Sequence, residues 1–239
     1  TPRVMIRPVD SSASVGAGLV QTLARDAGAF VPTLGHRRTL YVGATSNSRA
    51  DRIVVHDVDD DGAQDLVIQD CFGANVGALW LSRGQTSRGK PNGNFYSETS
   101  IASGCHRFPV VAAMNDDALL DVVSVRQDSP GGYSVNLHQA NGFGGFPLGA
   151  SRTMTTALNE QVHGLTVADV DGDDALEVVV SFSSNPAGNG VDPSGIKVLT
   201  LGSGVFNESA EHVLGDSVHI QVIGAADFDG DGRDEVVVT

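Results

Sequence analysis

The chain has 239 residues, of which 41% are hydrophobic, and it carries a formal net charge of −14. This length and apolar content suit one buried core, and no apolar run approaches the ~18 residues that a membrane-spanning helix needs. The acidic balance argues against nucleic acid as a partner, because a phosphate backbone demands a basic surface.

The first part of the chain predicts short strands. Arg3 to Arg7 is an apolar strand candidate, and Gly18 to Arg25 is a longer one that leads into the turn Gly28-Ala29-Phe30. Thr39 to Val42 is a third candidate, and after a polar loop Ile53 to Val55 is predicted as an inner strand. Short strands separated by turn residues are typical of an all-β protein.

The next segment is an acidic loop, Asp57 to Asp65, whose sequence follows D-x-D-x-D-G-x-x-D/E. It places carboxylates at positions 1, 3, 5 and 9 of a tight turn, where the backbone carbonyl of position 7 can join them. Ca²⁺ is a hard cation that takes about six to eight oxygen ligands, so the loop predicts a calcium site. The alternative is a turn without metal, because Asp and Gly are ordinary turn residues.

The loop is not predicted to be an EF-hand, because both of its flanks look like strands rather than helices. Ile53 to Val55 precedes it and Leu66 to Ile68 follows it, so the loop forms the turn of a hairpin. Further copies with similar flanks begin at Asp169 and Asp227. Three copies in one phase favour bound calcium over the metal-free turn.

The copies recur at a nearly constant period, which determines the expected fold. Asp57 and Asp169 lie 112 residues apart, which is twice 56, and Asp227 follows 58 residues later. A degenerate copy, Ala113 to Asp121, stands midway between the first two. A Gly-rich turn that ends in Phe recurs in the same phase, at Phe30, Phe95, Phe146 and Phe206. Four strands in each repeat of this length predict a propeller blade.

The acidic loop and the Gly-x-Phe turn together resemble the FG-GAP/VCBS repeat. This repeat is the blade unit of the integrin α-subunit propeller and of secreted propellers that include some lectins and polysaccharide lyases. The resemblance extends over nearly the whole chain. It implies an all-β fold, a β-propeller of four-stranded antiparallel blades in four repeats, in which each acidic loop joins the first two strands of a blade and binds Ca²⁺.

Carried over by position, the resemblance implies about three calcium sites. The ligands are Asp57, Asp59, Asp61 and Asp65 in the first loop, Asp169, Asp171, Asp173 and Glu177 in the third, and Asp227, Asp229, Asp231 and Glu235 in the fourth. The second loop departs from the pattern with Ala113 at position 1 and keeps only Asn115, Asp117 and Asp121. We expect that loop to be empty or weakly occupied.

The two ends of the chain are predicted to be complementary parts of one blade. The N-terminal segment supplies a third and a fourth strand, and the C-terminal segment supplies a first and a second. Joining them would close the ring and remove exposed sheet edges. The chain is then one propeller domain, with blade pieces at about 1–48 plus 219–239, 49–104, 105–160 and 161–218. The alternative is a fragment of a larger propeller.

The two cysteines are predicted to form a disulfide. Cys71 follows a second strand and Cys105 precedes the next first strand. In a propeller these strand ends lie on one face, opposite the acidic loops, so a bridge is geometrically reasonable. Two reduced thiols are the alternative. The calcium motifs predict an oxidising, extracellular setting, with the periplasm or the cell surface as alternatives.

Candidates for ligand binding are expected on the face opposite the acidic loops. Trp80, the sole tryptophan, is a candidate sugar platform, with packing on its own strand as the alternative. His106, His163 and His219 all fall just before inner strands, and Arg107 follows the first of them. Imidazoles in these positions can contact a ligand, hold a transition metal, or serve only as polar loop residues.

The sequence contains no nucleophile elbow, HExxH pair, phosphate loop or zinc-type Cys/His spacing. The favoured prediction is a secreted, calcium-stabilised recognition module, lectin-like or adhesin-like, that binds a glycan or an extracellular protein. Enzymatic activity is the less favoured outcome. The alternatives are a polysaccharide lyase or other carbohydrate-active enzyme, and a structural role within a larger propeller. A fold does not decide among these functions.

Overall fold

The computed structural model describes residues 3–7, 17–24, 33–34, 38–41, 50–71, 76–129, 132–154, 160–184, 193–216 and 220–239. Within these ranges the regular elements are β-strands, so the all-β prediction is confirmed. A search of the same ranges finds no helix long and apolar enough to cross a membrane. The chain divides into two compact units, Thr1–Cys105 and His106–Thr239.

The first unit begins with a small antiparallel sheet of four strands: β1 (Arg3–Arg7), β2 (Ala17–Ala24), β3 (Thr33–Leu34) and β4 (Arg38–Tyr41). The strand β2 is central, and each of the other three pairs with it. The strands predicted in this segment therefore exist close to their predicted bounds.

The rest of the first unit contains β5 (Ala50–His56), β6 (Asp65–Cys71), β7 (Gly77–Ser82), β8 (Gly84–Ser87), β9 (Lys90–Phe95) and β10 (Thr99–Ser103). Four of these strands form a sheet in the order β10-β7-β6-β5. The inner strand β6 is buried along its whole length. Its apolar run, from Leu66 to Ile68, provides part of the core, in which Phe95 and Trp80 also pack.

The strands β8 and β9 lie in a segment whose composition points to a loop. Gly84 to Asn94 is rich in Gly, Pro and Asn, which predicts a long loop, but the segment forms a separate antiparallel hairpin. Its turn is made by Arg88 and Gly89, both at positive φ. A two-residue turn of this hand matches the twist of paired strands. The segment is polar and largely exposed, so it has no alternating hydrophobic pattern from which this pairing could be predicted.

The second unit has two four-stranded sheets and a hairpin. The strands are β11 (His106–Ala112), β12 (Asp121–Ser129), β13 (Gly132–His138), β14 (Leu148–Met154), β15 (Glu160–Ala168), β16 (Glu177–Ser184), β17 (Pro193–Gly202), β18 (Val205–Asp216), β19 (Val222–Ala226) and β20 (Glu235–Val238). The strands β11 to β14 pair in chain order, as do β15 to β18, and β19 pairs with β20.

Two sheets of four antiparallel strands in chain order are the arrangement expected of propeller blades, and the architecture is propeller-like in this respect. The described N-terminal strands pair among themselves, and among the described strands β19 pairs only with β20. The four-repeat count and the closure of a ring through a shared blade stay predictions.

The core of the second unit lies between its sheets. Alternate residues of β12 and β13 face it, including Val123, Val125, Val135 and Leu137, and Phe206 of β18 packs into the same cluster. Since side chains alternate along a strand, the intervening residues of β12 and β13 face the opposite side of that sheet. This second face is polar but also buried, and it carries Ser124, Ser134, Asn136 and His138.

Candidate functional site

Each acidic segment joins two antiparallel strands. We name them loop 1 (57–65, between β5 and β6), loop 2 (113–121, between β11 and β12), loop 3 (169–177, between β15 and β16) and loop 4 (227–235, between β19 and β20). In every loop the acid at position 9 accepts a hydrogen bond from the backbone N–H at position 2. This shared bond gives the four turns a common shape.

The carboxylates of loop 1 converge. Asp57, Asp59 and Asp61 each bring a carboxylate oxygen to within 4.8 Å of the others. They also shape the turn, because the Gly62 N–H donates to Asp57 Oδ2 at 2.8 Å and the Ala63 N–H donates to Asp61 Oδ1 at 2.8 Å. Gly62 has a φ of 86°, a conformation that favours glycine.

Asp65, the fourth predicted ligand of loop 1, is fully buried, and both of its oxygens are hydrogen-bonded. The N–H of Val58 donates to Oδ2 at 2.8 Å, and the N–H of Gly84 donates to Oδ1 at 2.7 Å. Burial raises the pKa of Asp65 to about 6, against the opposing effect of these two bonds. Burial, followed by the charge of Asp61, also raises the pKa of Asp59.

Loop 3 brings together a slightly different set of carboxylates. Oxygens of Asp169, Asp171 and Glu177 lie within 4.8 Å of one another, whereas Asp173 is outside this group. Asp173 Oδ1 accepts the N–H of Ala175 at 2.9 Å. Burial, followed by the charges of the loop aspartates, raises the pKa of Glu177. Crowded carboxylates of this kind are stabilised by a cation.

Loop 4 repeats the geometry of loop 1. Asp227, Asp229 and Asp231 bring carboxylate oxygens to within 4.8 Å of one another, and all three are exposed. Glu235 Oε2 accepts the N–H of Phe228 at 2.7 Å. Ligands on opposite sides of a Ca²⁺ ion lie about 4.6 to 5.2 Å apart, since each Ca–O distance is about 2.3 to 2.6 Å. The hard oxygen donors of loops 1, 3 and 4 therefore fit Ca²⁺.

Loop 2 forms the same turn with fewer acids. Asp121 Oδ2 accepts the N–H of Met114 at 3.4 Å, and its Oδ1 accepts the N–H of Ala140 at 2.8 Å. Burial raises the pKa of Asp121. Asn115 and Asp117 each bond a backbone N–H two residues further on. Among the described residues, loop 2 contributes no group of three converging acids.

The predicted disulfide is confirmed. Cys71 and Cys105 are bonded, with their Cα atoms 4.7 Å apart, at the end of β6 that is remote from loop 1. The N–H of Cys71 donates to Asp51 Oδ2 at 3.3 Å. Beside it, Asp70 is a buried acid that the sequence interpretation missed. The bridge is consistent with an extracellular location.

Bulges occur in the first strand of each acidic hairpin. The pairing register shifts at Ala50/Arg52, Arg107/Val110, Val162/Gly164 and Val222/Gly224. In two of these strands the bulged residue is titratable: Asp51 in β5 and His163 in β15. Bulges re-aim side chains and are frequent beside active sites. Bulge positions were not predicted from the sequence.

The predicted histidines have separate surroundings. His163 is half-buried, with Nε2 2.5 Å from the hydroxyl of Ser183. His106 is buried, with Nδ1 2.9 Å from the hydroxyl of Ser124. Arg107 is half-buried beside it. His219 lies outside the described residues, so a shared role of the three histidines in ligand binding stays a prediction.

His138 is a further buried histidine, which the sequence interpretation missed. It is 3% exposed and meets His106 edge to face, with ring centroids 5.2 Å apart. Neither ring nitrogen of His138 has a hydrogen-bond partner in the described part of the chain. Burial, followed by the proximity of His106, lowers the pKa of His138 to about 4. The signal available in the sequence was the alternation of Ser134, Asn136 and His138 along one strand.

Trp80 is half-buried and packs against the apolar cluster of the first unit. Its Nε1 atom is buried, and no hydrogen-bond partner is present for it among the described residues. The most exposed large apolar side chain of the described residues is instead Phe143, at 95%, which lies in the Gly-rich turn before β14. An exposed aromatic ring can serve as a stacking surface for a sugar, so Phe143 joins Trp80 as a candidate contact.

No family model matches the chain, and no curated protein matches it. The chain does match solved structures. Two crystal structures of variants of an exo-β-1,3-galactanase from Phanerochaete chrysosporium, both with β-1,3-galactotriose, match 93% of this chain with 12% sequence identity. The TM-scores are 0.50 and 0.51. The match covers 53% of the galactanase chain, so this chain spans about half the length of those relatives.

These structural relatives correct two predictions. The favoured interpretation, a lectin-like or adhesin-like recognition module, is wrong, and so is the expectation that enzymatic activity is the less favoured outcome. The two solved structures that this chain resembles are of an exo-β-1,3-galactanase with an oligosaccharide. The alternative of a carbohydrate-active enzyme is the better supported one. The function was predicted wrongly because the repeat resemblance indicates a fold, and one fold can host many functions.

Proposed function

We propose that the chain is a secreted carbohydrate-active enzyme, or the propeller-like part of one, whose substrate is a glycan of the galactan class. The observation that carries the proposal is the fold similarity, over 93% of the chain, to an exo-β-1,3-galactanase with β-1,3-galactotriose. The Cys71–Cys105 disulfide supports action outside the cell.

The acidic loops are poor candidates for the reacting groups. Hydrolysis of a glycosidic bond uses a pair of carboxyl groups, and one of them must act as a proton donor. The position 1 and position 9 acids of loops 1, 3 and 4 are engaged by backbone N–H groups that shape the turns. Their role in the proposal is to hold Ca²⁺ and to order the hairpins.

The bulged first strands offer better candidates. Asp51 and His163 occupy matching positions, each six residues before the first aspartate of its loop. Asp51 is exposed, and His163 is half-buried beside Ser183. A carboxylate and an imidazole are both competent in proton transfer. We assign glycan contact or proton transfer to them as two separate candidates, Asp51 with the buried Asp70 near it in the first unit, and His163 beside Ser183 in the second unit.

The scaffold that we propose for this enzyme is an FG-GAP-like propeller of four repeats, closed by a blade shared between the two ends of the chain. Three Ca²⁺ ions would occupy loops 1, 3 and 4. The converging carboxylates of these loops support the ions, and the four-stranded sheets in chain order support the blades. The ions would neutralise crowded charge and contribute no step of the reaction.

The test is an activity screen on β-1,3-galactan and a panel of other polysaccharides with calcium present. We expect new reducing ends from the galactan, whereas a lyase would give unsaturated products that are followed by absorbance. Folded, calcium-loaded protein that yields neither product from any substrate would overturn the proposal.

Matched variants locate the reacting side chains. Asp51→Asn and His163→Gln are expected to lower kcat by at least about 100-fold if the residues transfer protons. The controls are Asp116→Asn and His212→Gln, which make the same chemical changes at exposed positions. Equal activity of all four variants would remove both Asp51 and His163 from the candidates for the reaction.

A further inference from the structure

Loops 3 and 4 are hydrogen-bonded to each other. The N–H of Asp234 donates to the carbonyl oxygen of Asp169 at 2.7 Å. In return, the N–H of Asp169 donates to Asp234 Oδ2 at 3.0 Å. The two bonds form a closed pair between position 8 of loop 4 and position 1 of loop 3, across 65 residues of sequence.

A second contact lies beside this pair. Gly172, at position 4 of loop 3, faces the side chain of Arg233, so that a Cβ atom on Gly172 would come within 3.0 Å of Arg233 Cγ. The N–H of Gly172 donates to Asp169 Oδ1 at 2.7 Å. Gly172 has a φ of 81°, so glycine is favoured there for its conformation as well as for its small size.

These contacts involve the atoms expected to bind metal. Asp169 supplies the position 1 carboxylate of loop 3, and its oxygens lie among the converging acids. Arg233 stands at position 7 of loop 4, whose carbonyl is the expected backbone ligand, and Asp234 follows it directly. Fixing either residue therefore restricts the backbone of the other loop.

The connection is specific to this pair of loops. Position 8 is occupied by Gln64 in loop 1, Leu120 in loop 2 and Leu176 in loop 3, and only loop 4 has an acid there. Loop 1 belongs to the other compact unit.

We propose that loops 3 and 4 bind Ca²⁺ as a positively cooperative pair and that Asp234 couples them. The inference rests on the calcium sites of the proposed function. The first ion fixes its loop and, through the reciprocal bonds, part of the second loop, so the second ion meets a lower ordering cost. Repulsion between the two ions acts in the opposite direction but is screened at these exposed sites.

The test measures calcium affinity by calorimetry in a protein whose loop 1 is disabled by Asp59→Ala. Asp171→Ala then isolates loop 4, and Asp229→Ala isolates loop 3. We expect each isolated loop to bind about 5- to 10-fold more weakly than it does beside its intact partner, with equal factors in both directions, as linkage requires.

Substitutions at Asp234 test the coupling residue. The coupling factor is the ratio of a loop's calcium affinity beside an intact partner loop to its affinity in isolation. Asp234→Leu introduces the residue type found at position 8 of loop 3, and we expect it to lower this factor below about twofold. Asp234→Asn keeps an acceptor oxygen and is expected to retain most of the coupling. The control, Asp174→Asn, removes one charge at position 6 of loop 3 but leaves both inter-loop bonds, so the calcium affinities fall while the coupling factor stays.

The outcomes separate this inference from the calcium sites themselves. Two ions bound independently by loops 3 and 4 would overturn the coupling and leave the sites in place. No calcium uptake by any loop would overturn both. Unchanged coupling in Asp234→Leu would remove the side chain of Asp234 from the connection. If Asp234→Leu does not fold, the isolated-loop comparison and Asp234→Asn still decide the question, because both retain the inter-loop acceptor.

Discussion

Loops 2 and 3 close equivalent hairpins in two four-stranded sheets of the same unit, yet only loop 3 has an aspartate at position 1. In loop 3, oxygens of Asp169 accept the N–H groups of Gly172, Asp173 and Asp174, at 2.7, 3.2 and 2.9 Å. In loop 2 the same position is Ala113, which has no acceptor to offer.

The two loops nevertheless share the bond from position 9 to position 2. Asp121 makes it in loop 2 and Glu177 makes it in loop 3. The difference indicates that the motif has two separable parts. The acid at position 9 shapes the hairpin in both loops. The acids nearer the start of the loop converge only in the loop that has an aspartate at position 1.

The largest expected effect comes from chelating the calcium proposed for loops 1, 3 and 4, which share an aspartate at position 1. A site held at a hundred times its Kd contributes about 2.7 kcal/mol to the free energy of unfolding. Since 1 kcal/mol corresponds to about 2 to 4 °C in a chain of this size, we expect chelation to lower the Tm by more than about 10 °C. Scanning calorimetry in EDTA and in millimolar calcium measures the change. Superimposable melting curves would contradict the calcium assignment.

The disulfide is a constraint outside the loops, so its removal separates metal from covalent stabilisation. Cys71 and Cys105 are 34 residues apart in sequence, and a bridge across such a loop contributes roughly 3 to 4 kcal/mol in the chain-entropy model. The double variant Cys71→Ser, Cys105→Ser should lose about this much stability in calcium and in EDTA alike. The control is reduction of the wild-type protein, and a reductant should leave the double variant unchanged.

The sheet that carries loop 2 also contains a pH-sensitive residue, His138. Its pKa in the folded protein is about 4, below the ordinary value of 6.5. The neutral ring therefore contributes stability that is present above about pH 6.5 and is lost as pH falls toward 4. A pKa difference of this size corresponds to about 3 kcal/mol of the free energy of unfolding.

The measurement is the Tm as a function of pH for wild type, His138→Phe and the exposed control His212→Phe. Comparing variants cancels the opposite contribution of the carboxyl groups with raised pKa, such as Asp65, whose protonation favours the folded state. His138→Phe should lose less stability on acidification than the other two proteins. Parallel pH profiles for all three would show that His138 does not titrate as described.

The parts of this structure that follow from short sequence patterns could be predicted. The apolar flanks of each acidic loop fix its strands, as with Leu66 to Ile68 in the buried strand β6. The alternation of acids along a turn predicts the converging side chains of loops 1 and 4, whereas in loop 3 Glu177 takes the place expected of Asp173. The disulfide followed from the two positions at strand ends, Cys71 and Cys105.

The features that depend on pairing between distant segments could not be predicted. His138 meets His106 only because β11, β12 and β13 adopt one register. Asp234 bonds Asp169 across 65 residues, and no local pattern carries that information. The hairpin β8–β9 was hidden because its exposed residues are ordinary loop residues. The function was misjudged because the repeat determines a scaffold, whereas the reaction depends on side chains that the repeat does not specify.

A smaller effect tests whether position 3 matters only where position 1 is acidic. Asp171→Ala should remove one calcium site and lower the Tm in calcium by about 5 to 10 °C, in line with the loss of one ion. Asn115→Ala makes the matched change in loop 2 and should cost only a capping bond, about 1 kcal/mol. Titration of calcium stoichiometry should show one ion fewer in the first variant alone. Equal losses in the two variants would abolish the distinction between loops 2 and 3.

The smallest expected effect on stability comes from giving loop 2 the position 1 aspartate that loop 3 has. Ala113→Asp would supply the missing position 1 carboxylate beside Asn115, Asp117 and Asp121, and Ala113 is exposed, so the new side chain has room. In calcium we expect one additional ion per chain and a gain of about 1 kcal/mol, because the asparagine makes this donor set weaker than the others. In EDTA we expect Ala113→Asp to lower the stability instead. Without a cation, the new carboxylate is repelled by the two acids already in the loop. Ala113→Asn is the control: it offers the same shape without the charge and should add no ion. An Ala113→Asp protein that binds no more calcium than wild type would show that position 1 is not what separates loop 2 from loop 3.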